Sequence, residues 1–234
     1  MLEKDSLFKN PFDFLGYETK DILPDGGFGG VLARAGVGKT ALLVQLSLYA
    51  LLKQQNVLHI SLNDPVNKVD LWYKEVFHNL VRQYNLEQAA SLWETMLPHR
   101  FIMTFRIEGF SPPKLEERLN DLTQQAIFFP RIAVIDGMPF DASAQKSLAE
   151  LKTLAQKHSM QIWFTVRTHR HEKTGPDGIP ASFLPLADLF DVVIQIQPEG
   201  NEIHVRALKG AAHFDHPPLV LDPSTMMTKE KMDT

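Results

Sequence analysis

A chain of 234 residues, 44% hydrophobic and 22% charged, has the size and composition of one folded α/β domain and is too short for two comfortable ones. Its net charge of −4 argues against a dedicated nucleic-acid binder, which carries a strong positive excess, and the lack of cysteine excludes disulfides and thiolate metal sites. No apolar run approaches the roughly 20 residues of a membrane helix. The opening Met1-Leu2-Glu3-Lys4-Asp5 places acids where a secretory signal needs a cationic region, so a cytoplasmic protein with no membrane partner is expected.

Residues 1–20 mix charge, Pro11 and aromatics and read as an entry segment packing onto the domain. The turn cluster Pro24-Asp25-Gly26-Gly27 leads into a short buried strand over 28–33. Leu42, Leu43, Leu46, Ala50 and Leu51 recur at helical spacing within 39–53, and 57–62 is a strand by composition. The stretch from 66 to about 97 is helical, in two pieces broken near Asn85. Phe101, Met103, Phe105 and Ile107 alternate and predict a strand over 100–107. Pro112 and Pro113 suit a helix start, with Leu115, Leu119, Leu122 and Ala126 as its face. The wholly apolar run 132–135 reads as a strand buried on both sides. A helix over 142–158 and a buried strand over 162–166 follow. Residues 167–185 are polar and rich in glycine and proline, a long loop of the kind that carries function. Strands over 192–197 and 202–208 flank Pro198-Glu199-Gly200-Asn201 as a hairpin. Residues 223–234 are expected as a loose tail. This alternation predicts one domain over 21–222, an α/β three-layer sandwich with a mostly parallel sheet and a C-terminal antiparallel hairpin.

Two motifs carry chemistry. Ala33-Arg34-Ala35-Gly36-Val37-Gly38-Lys39-Thr40 matches G-x-x-x-x-G-K-[ST] except that alanine stands first. Small residues let the backbone curl so that successive N–H groups face phosphates, and the following helix adds its positive end. Nucleotide contacts are therefore expected along Arg34, Ala35, Gly36, Val37, Gly38, Lys39, Thr40 and Ala41. Lys39 would reach the β- and γ-phosphates and the Thr40 hydroxyl would coordinate Mg²⁺. A second acid for the metal should end a buried neighbouring strand, and Asp136 does so; the alternative is an ordinary strand-ending aspartate before Gly137. The cofactors expected are ATP and Mg²⁺.

With both motifs placed, the chain resembles the RecA-like P-loop ATPase superfamily, in its KaiC, RadA and DnaB-type branch. The residues that carry this are Gly36 to Leu42, the segment Ile60-Ser61-Leu62-Asn63-Asp64, and the strand ending at Asp136. The Thr165-Val166-Arg167 strand end and Val205-Arg206-Ala207-Leu208-Lys209 complete it. The order of elements agrees over about 20–222. The resemblance implies a glutamate after the second strand that polarises the attacking water. The matching position is Asn63, an amide and a poor base, which leaves Asp64 as the candidate to orient water or, alternatively, a helix cap. It also implies a lysine and an arginine, two residues apart, that reach into a neighbouring subunit's site. Lys209 fits the lysine, or is a solvated strand-end lysine, while Ala211 stands where the arginine belongs. Thr165 and Arg167 are candidates to sense the γ-phosphate, Arg167 as a charge stabiliser or else a surface arginine.

Both departures point to slow hydrolysis or to binding alone. The expectation is an ATP-binding RecA/KaiC-like protein with weak or partner-dependent hydrolysis, working as a homo-oligomer or with a protein partner. The alternatives are a non-hydrolysing nucleotide-sensing module and a DNA-dependent recombination or repair accessory ATPase. The loop Arg167-Thr168-His169-Arg170-His171-Glu172-Lys173 is basic enough to meet DNA phosphates but has no aromatic to stack on bases. A mobile solvated loop is favoured over DNA contact, and its histidines lack the spacing of convergent metal ligands. Trp72, Tyr73, Phe77 and Trp93 read as packing residues.

Overall fold

Strands without a polar side must be covered on both faces, and one-sided helices are what can cover them. The computed structural model describes residues 22–141, 144–169, 172–175, 177–211 and 219–230, so the expected entry segment lies outside it. In chain order the elements are β1 (Phe28–Ala33), α1 (Lys39–Leu52), β2 (Val57–Ser61), α2 (Val66–Tyr84), α3 (Ala89–Met96) and β3 (Arg100–Thr104). There follow α4 (Pro112–Gln124), β4 (Ile132–Asp136), α5 (Ala144–Lys157), β5 (Gln161–Arg167), β6 (Val192–Glu199), β7 (Glu202–Lys209), β8 (Leu219–Leu221) and β9 (Thr228–Glu230).

The strands form one sheet in the order β3-β2-β4-β5-β1-β6-β7-β8-β9. From β3 across to β6 every pairing is parallel, and β6 through β9 is antiparallel. The chain is therefore α/β, with a mostly parallel sheet that ends in antiparallel strands. Alternate residues of β1 part into two cores. Val31 and Ala33 join α1, α2 and α3, whereas Phe28 and Leu32 join α4 and α5. In the second core Phe28, Phe164, Phe183 and Phe190 stack edge-on or tilted, with centroids 4.8–5.7 Å apart.

Backbone geometry explains where elements stop. Asn85 ends α2 in the left-handed region at φ 48°, the break expected there. α4 stops at Gln124 because Ala126 is left-handed at φ 54°, so Ala126 lies beyond the helical face expected for it. β3 stops at Thr104, and Ile107 enters a single 3₁₀ turn, Ile107–Gly109, instead of extending the strand. The helix expected from 142 is described from Ala144 onward.

Two segments are more structured than the sequence predicts. After β5, the Glu172 carboxylate accepts from the Ser182 and His169 amides at 2.8 and 3.3 Å. Thr174 bridges to Pro180, and Ile179 and Phe183 are buried in the second core. The described part of this loop is thus pinned rather than freely solvated; Arg170 and His171 lie outside the described residues. Within the expected tail, residues 228–230 return as β9 and pair antiparallel with β8.

One glycine is set by the core itself. Gly29 pairs in register with Trp163 across β1 and β5, and a β-carbon there would come within 2.6 Å of three carbons of the indole. Gly29→Ala is expected to cost about 1–3 kcal/mol through overpacking. An equilibrium denaturation midpoint unchanged from the parent would refute this.

Candidate functional site

The parallel strands β1, β4 and β5 end side by side, and the chemistry-bearing residues gather at those ends. β1 stops at Ala33, and residues 34–38 turn the chain into α1. The turn needs φ of 75° at Gly36 and 103° at Gly38, both in the left-handed region where a side chain is strained. Gly38 is the N-cap of α1 and contributes no side-chain cap, and no acid lies in the first helical turn. The first amides of α1 and the positive end of its dipole are therefore left for an external acceptor. A β-carbon at Gly36 would meet nothing within 4 Å, so the loop is open on that side.

Lys39 folds back over this turn. Its Nζ donates to the Ala33 carbonyl at 3.0 Å and to the Arg34 carbonyl at 2.8 Å. Burial lowers its pKa from the ordinary lysine value, the Arg167 charge lowers it further, and Asp136 opposes both. Arg167 itself is exposed at the end of β5, paired in register with Ala33.

Asp136 is the hub. The Thr40 hydroxyl donates to its Oδ2 at 2.8 Å, and the Thr165 hydroxyl donates to its Oδ1 at 2.6 Å. Thr165, only 3% exposed, also accepts from the Gly137 amide at 3.0 Å. One threonine thus orients the carboxylate from β5 while the other meets it from α1. Behind the hub, His59 of β2 is fully buried, with Nδ1 3.1 Å from the Tyr73 hydroxyl. Burial pushes its pKa down to about 4, so the ring is neutral at physiological pH. No sequence motif marks His59 or its Tyr73 partner.

Asn63 and Asp64 part company. Asn63 lies against Gly137, whose φ is 91°; a β-carbon on Gly137 would collide with the Asn63 amide. The exposed amide therefore lies at the end of β4, against the residue that follows Asp136. Asp64 instead accepts from Lys68 of α2 at 2.7 Å, while its own N–H donates to Ser61 Oγ. The N-cap of α2 is Pro65, with no side-chain cap bond, so pairing with Lys68 takes the place of the capping role considered for Asp64.

Lys209 stands apart. Its strand neighbour is Val193, which sits opposite Gly30, nearer the start of β1 than the loop that follows Ala33. Lys209 Nζ donates to the Ala187 carbonyl at 2.9 Å, and Ala211 packs against the first core. Neither joins the Lys39–Thr40–Asp136 group. The aromatics of α2 and α3 pack as expected: Tyr73 and Phe77 are buried, Phe77 meets Trp93 at 5.1 Å, and Arg100 lies over Tyr73 and Trp93.

The described residues contain no group of three or more His, Cys, Asp or Glu side chains placed to hold a metal ion, and no helix among them is long and apolar enough to cross a membrane. A hydroxyl and a carboxylate at bonding distance are nevertheless the hard oxygen donors that Mg²⁺ takes when ligand phosphates and water supply the rest. No protein-family model matches the chain, and no curated protein matches it either.

Proposed function

We propose that the protein binds Mg-ATP between the 34–38 turn and the end of β4, and that it hydrolyses ATP slowly or only with a partner. The observation that carries this is the 2.8 Å bond between Thr40 and Asp136, two residues 96 positions apart. The residue that follows Lys39 and the acid ending a separate apolar strand meet where such a site needs them. The open side of Gly36, the uncapped start of α1 and the cation of Lys39 all favour an anion at the same place. Apolar strands covered by α1–α3 on one face and α4–α5 on the other fit a RecA-like three-layer sandwich.

In this reading the amides of 35–41 donate to phosphate oxygens, and Lys39 exchanges its Ala33 and Arg34 carbonyls for the β- and γ-phosphates. Thr40 and Asp136 hold Mg²⁺, which when bound neutralises charge on the phosphates. Thr165 keeps the Asp136 carboxylate turned toward Thr40, and exposed Arg167 adds positive charge at the rim. Lys209 serves across an interface with a second copy. An ATP-consuming protein of this kind belongs in the cytoplasm.

A second reading, a nucleotide sensor that does not hydrolyse, is favoured by one specific observation. The side chain that lies against Gly137, next to Asp136, is the amide of Asn63, while the Asp64 carboxylate is engaged by Lys68. To orient water, Asp64 would have to leave that partner. The test is calorimetric titration with Mg-ATP, followed by phosphate release from the same protein. No binding at millimolar ATP would end both readings, and binding without turnover would select the sensor.

A further inference from the structure

The loop that would hold phosphate does not rest on its own strand and helix alone. A β-carbon at Gly38 would stand 2.5 Å from Leu221 Cδ2 and 3.4 Å from Met226 Sδ. The last glycine of the turn therefore sits directly on the chain that closes the sheet, and that chain is fastened by side chains of α1 and α2. Gln45, in the middle of α1, is 1% exposed among leucines and valines. Its Nε2 donates to the Met226 carbonyl at 2.6 Å, and its Oε1 accepts from the Thr228 amide and hydroxyl at 3.1 and 3.3 Å. A buried amide so placed behaves as one more strand rung. If 226–228 left, the amide would lose these three bonds and keep only a long one, 3.4 Å from Nε2 to the Ala41 carbonyl, so departure carries a cost.

Other contacts fasten the same segment. Asn79 of α2 donates to the Thr225 carbonyl at 2.9 Å. Asp222 accepts from the Ser224 amide and hydroxyl and from Lys229 Nζ, closing the turn, while its own amide donates to the Met227 carbonyl. Met226 is held at φ 56°, a conformation a methionine adopts only when its surroundings impose it.

We propose that residues 219–230 form a clasp that positions the phosphate loop, with Gln45 as the positioning residue, and that nucleotide binding and clasp docking are coupled. The coupling to ATP rests on the nucleotide-binding function proposed above; the coupling to the loop does not. Physically, Leu221 and Met226 form the floor under Gly38, so a loose segment lets the turn wander and weakens its hold on phosphate. By reciprocity, phosphate in the loop must then tighten the segment.

The experiment is hydrogen exchange read by mass spectrometry on the full chain, with and without Mg-ATP, beside Mg-ATP titration. Gln45→Met should speed exchange in both 222–230 and 34–40, and weaken Mg-ATP by about tenfold, the scale of one or two lost buried hydrogen bonds. In the parent protein, Mg-ATP should slow exchange in 222–230. Asn79→Ala loosens the segment from α2 without removing a buried group from α1, so it carries the same test should Gln45→Met fail to fold. Its effect is smaller and in the same direction. A variant that frees 222–230 yet leaves exchange at 34–40 and ATP affinity at parental values would overturn the clasp. If the parent binds no ATP, the nucleotide function falls, and faster exchange at 34–40 in the variants still decides for the clasp.

Discussion

Lys39→Ala should weaken Mg-ATP by about 10- to 100-fold, the loss of a charge-assisted hydrogen bond to phosphate. Lys39 Nζ is bonded to two carbonyls of the turn itself, at 2.8 and 3.0 Å, and so lies over the loop it would serve. Burial, with Arg167 nearby, lowers its pKa, while Asp136 opposes the shift. A cation whose folded pKa lies below its unfolded value of 10.5 is destabilising in the fold at any pH where it carries its proton. That cost is relieved as pH rises through the folded pKa. Two consequences can be measured. Lys39→Met removes a partly buried charge but also its bonds to the Ala33 and Arg34 carbonyls, so its melting temperature should stay near the parental value even as Mg-ATP affinity falls. Affinity of the parent for Mg-ATP should also decline on the alkaline side at a lower pH than an ordinary lysine would set. Parental affinity in Lys39→Ala would remove the site assignment altogether.

Asn63→Asp is expected to raise the single-turnover rate of ATP hydrolysis by at least about tenfold, given the 10²–10⁴-fold that general-base catalysis supplies. The substitution keeps the size of the side chain that lies against Gly137 and replaces an amide by a carboxylate able to accept a proton from water. Asp64→Asn should change little, because the Asp64 carboxylate is already engaged by Lys68 at 2.7 Å. Rapid-quench measurements on both variants separate the possibilities. A silent Asn63→Asp with a dead Asp64→Asn would mean that Asp64 leaves Lys68 during turnover and orients the water after all. Two silent variants on a protein that binds ATP would support the sensor.

The local parts of the site were legible because their physics is local. Gly36 and Gly38 stand where the chain must take positive φ within a single turn, and Lys39 and Thr40 open a helix directly after it, one that is apolar and buried almost all round. A strand as apolar as 132–135 can only be buried, so its terminal acid had to surface at a strand end. Asn85 as the break between α2 and α3, and the hairpin around Gly200, follow from turn chemistry in the same way.

Where a side chain points across the sheet is set by partners far away in sequence. Thr165 becomes the orienting partner of Asp136 only because β5 lies between β4 and β1, an order that no motif states. Lys209 stands at the position of the lysine that the resemblance implies, and only the register of β7 shows that it lies beside Val193 and donates to the Ala187 carbonyl. Thr228-Lys229-Glu230 is too polar and too short to announce a strand, so sequence alone reads a loose tail. Its strand pairing is imposed from outside, by the free edge of β8 and by the amide of Gln45, 183 residues earlier in the chain. Local chemistry in the chain sets the glycine turn after β1 and the acid that ends β4; which distant groups orient that acid, and what lies beneath the turn, depends on bonds that exist only once the sheet has closed.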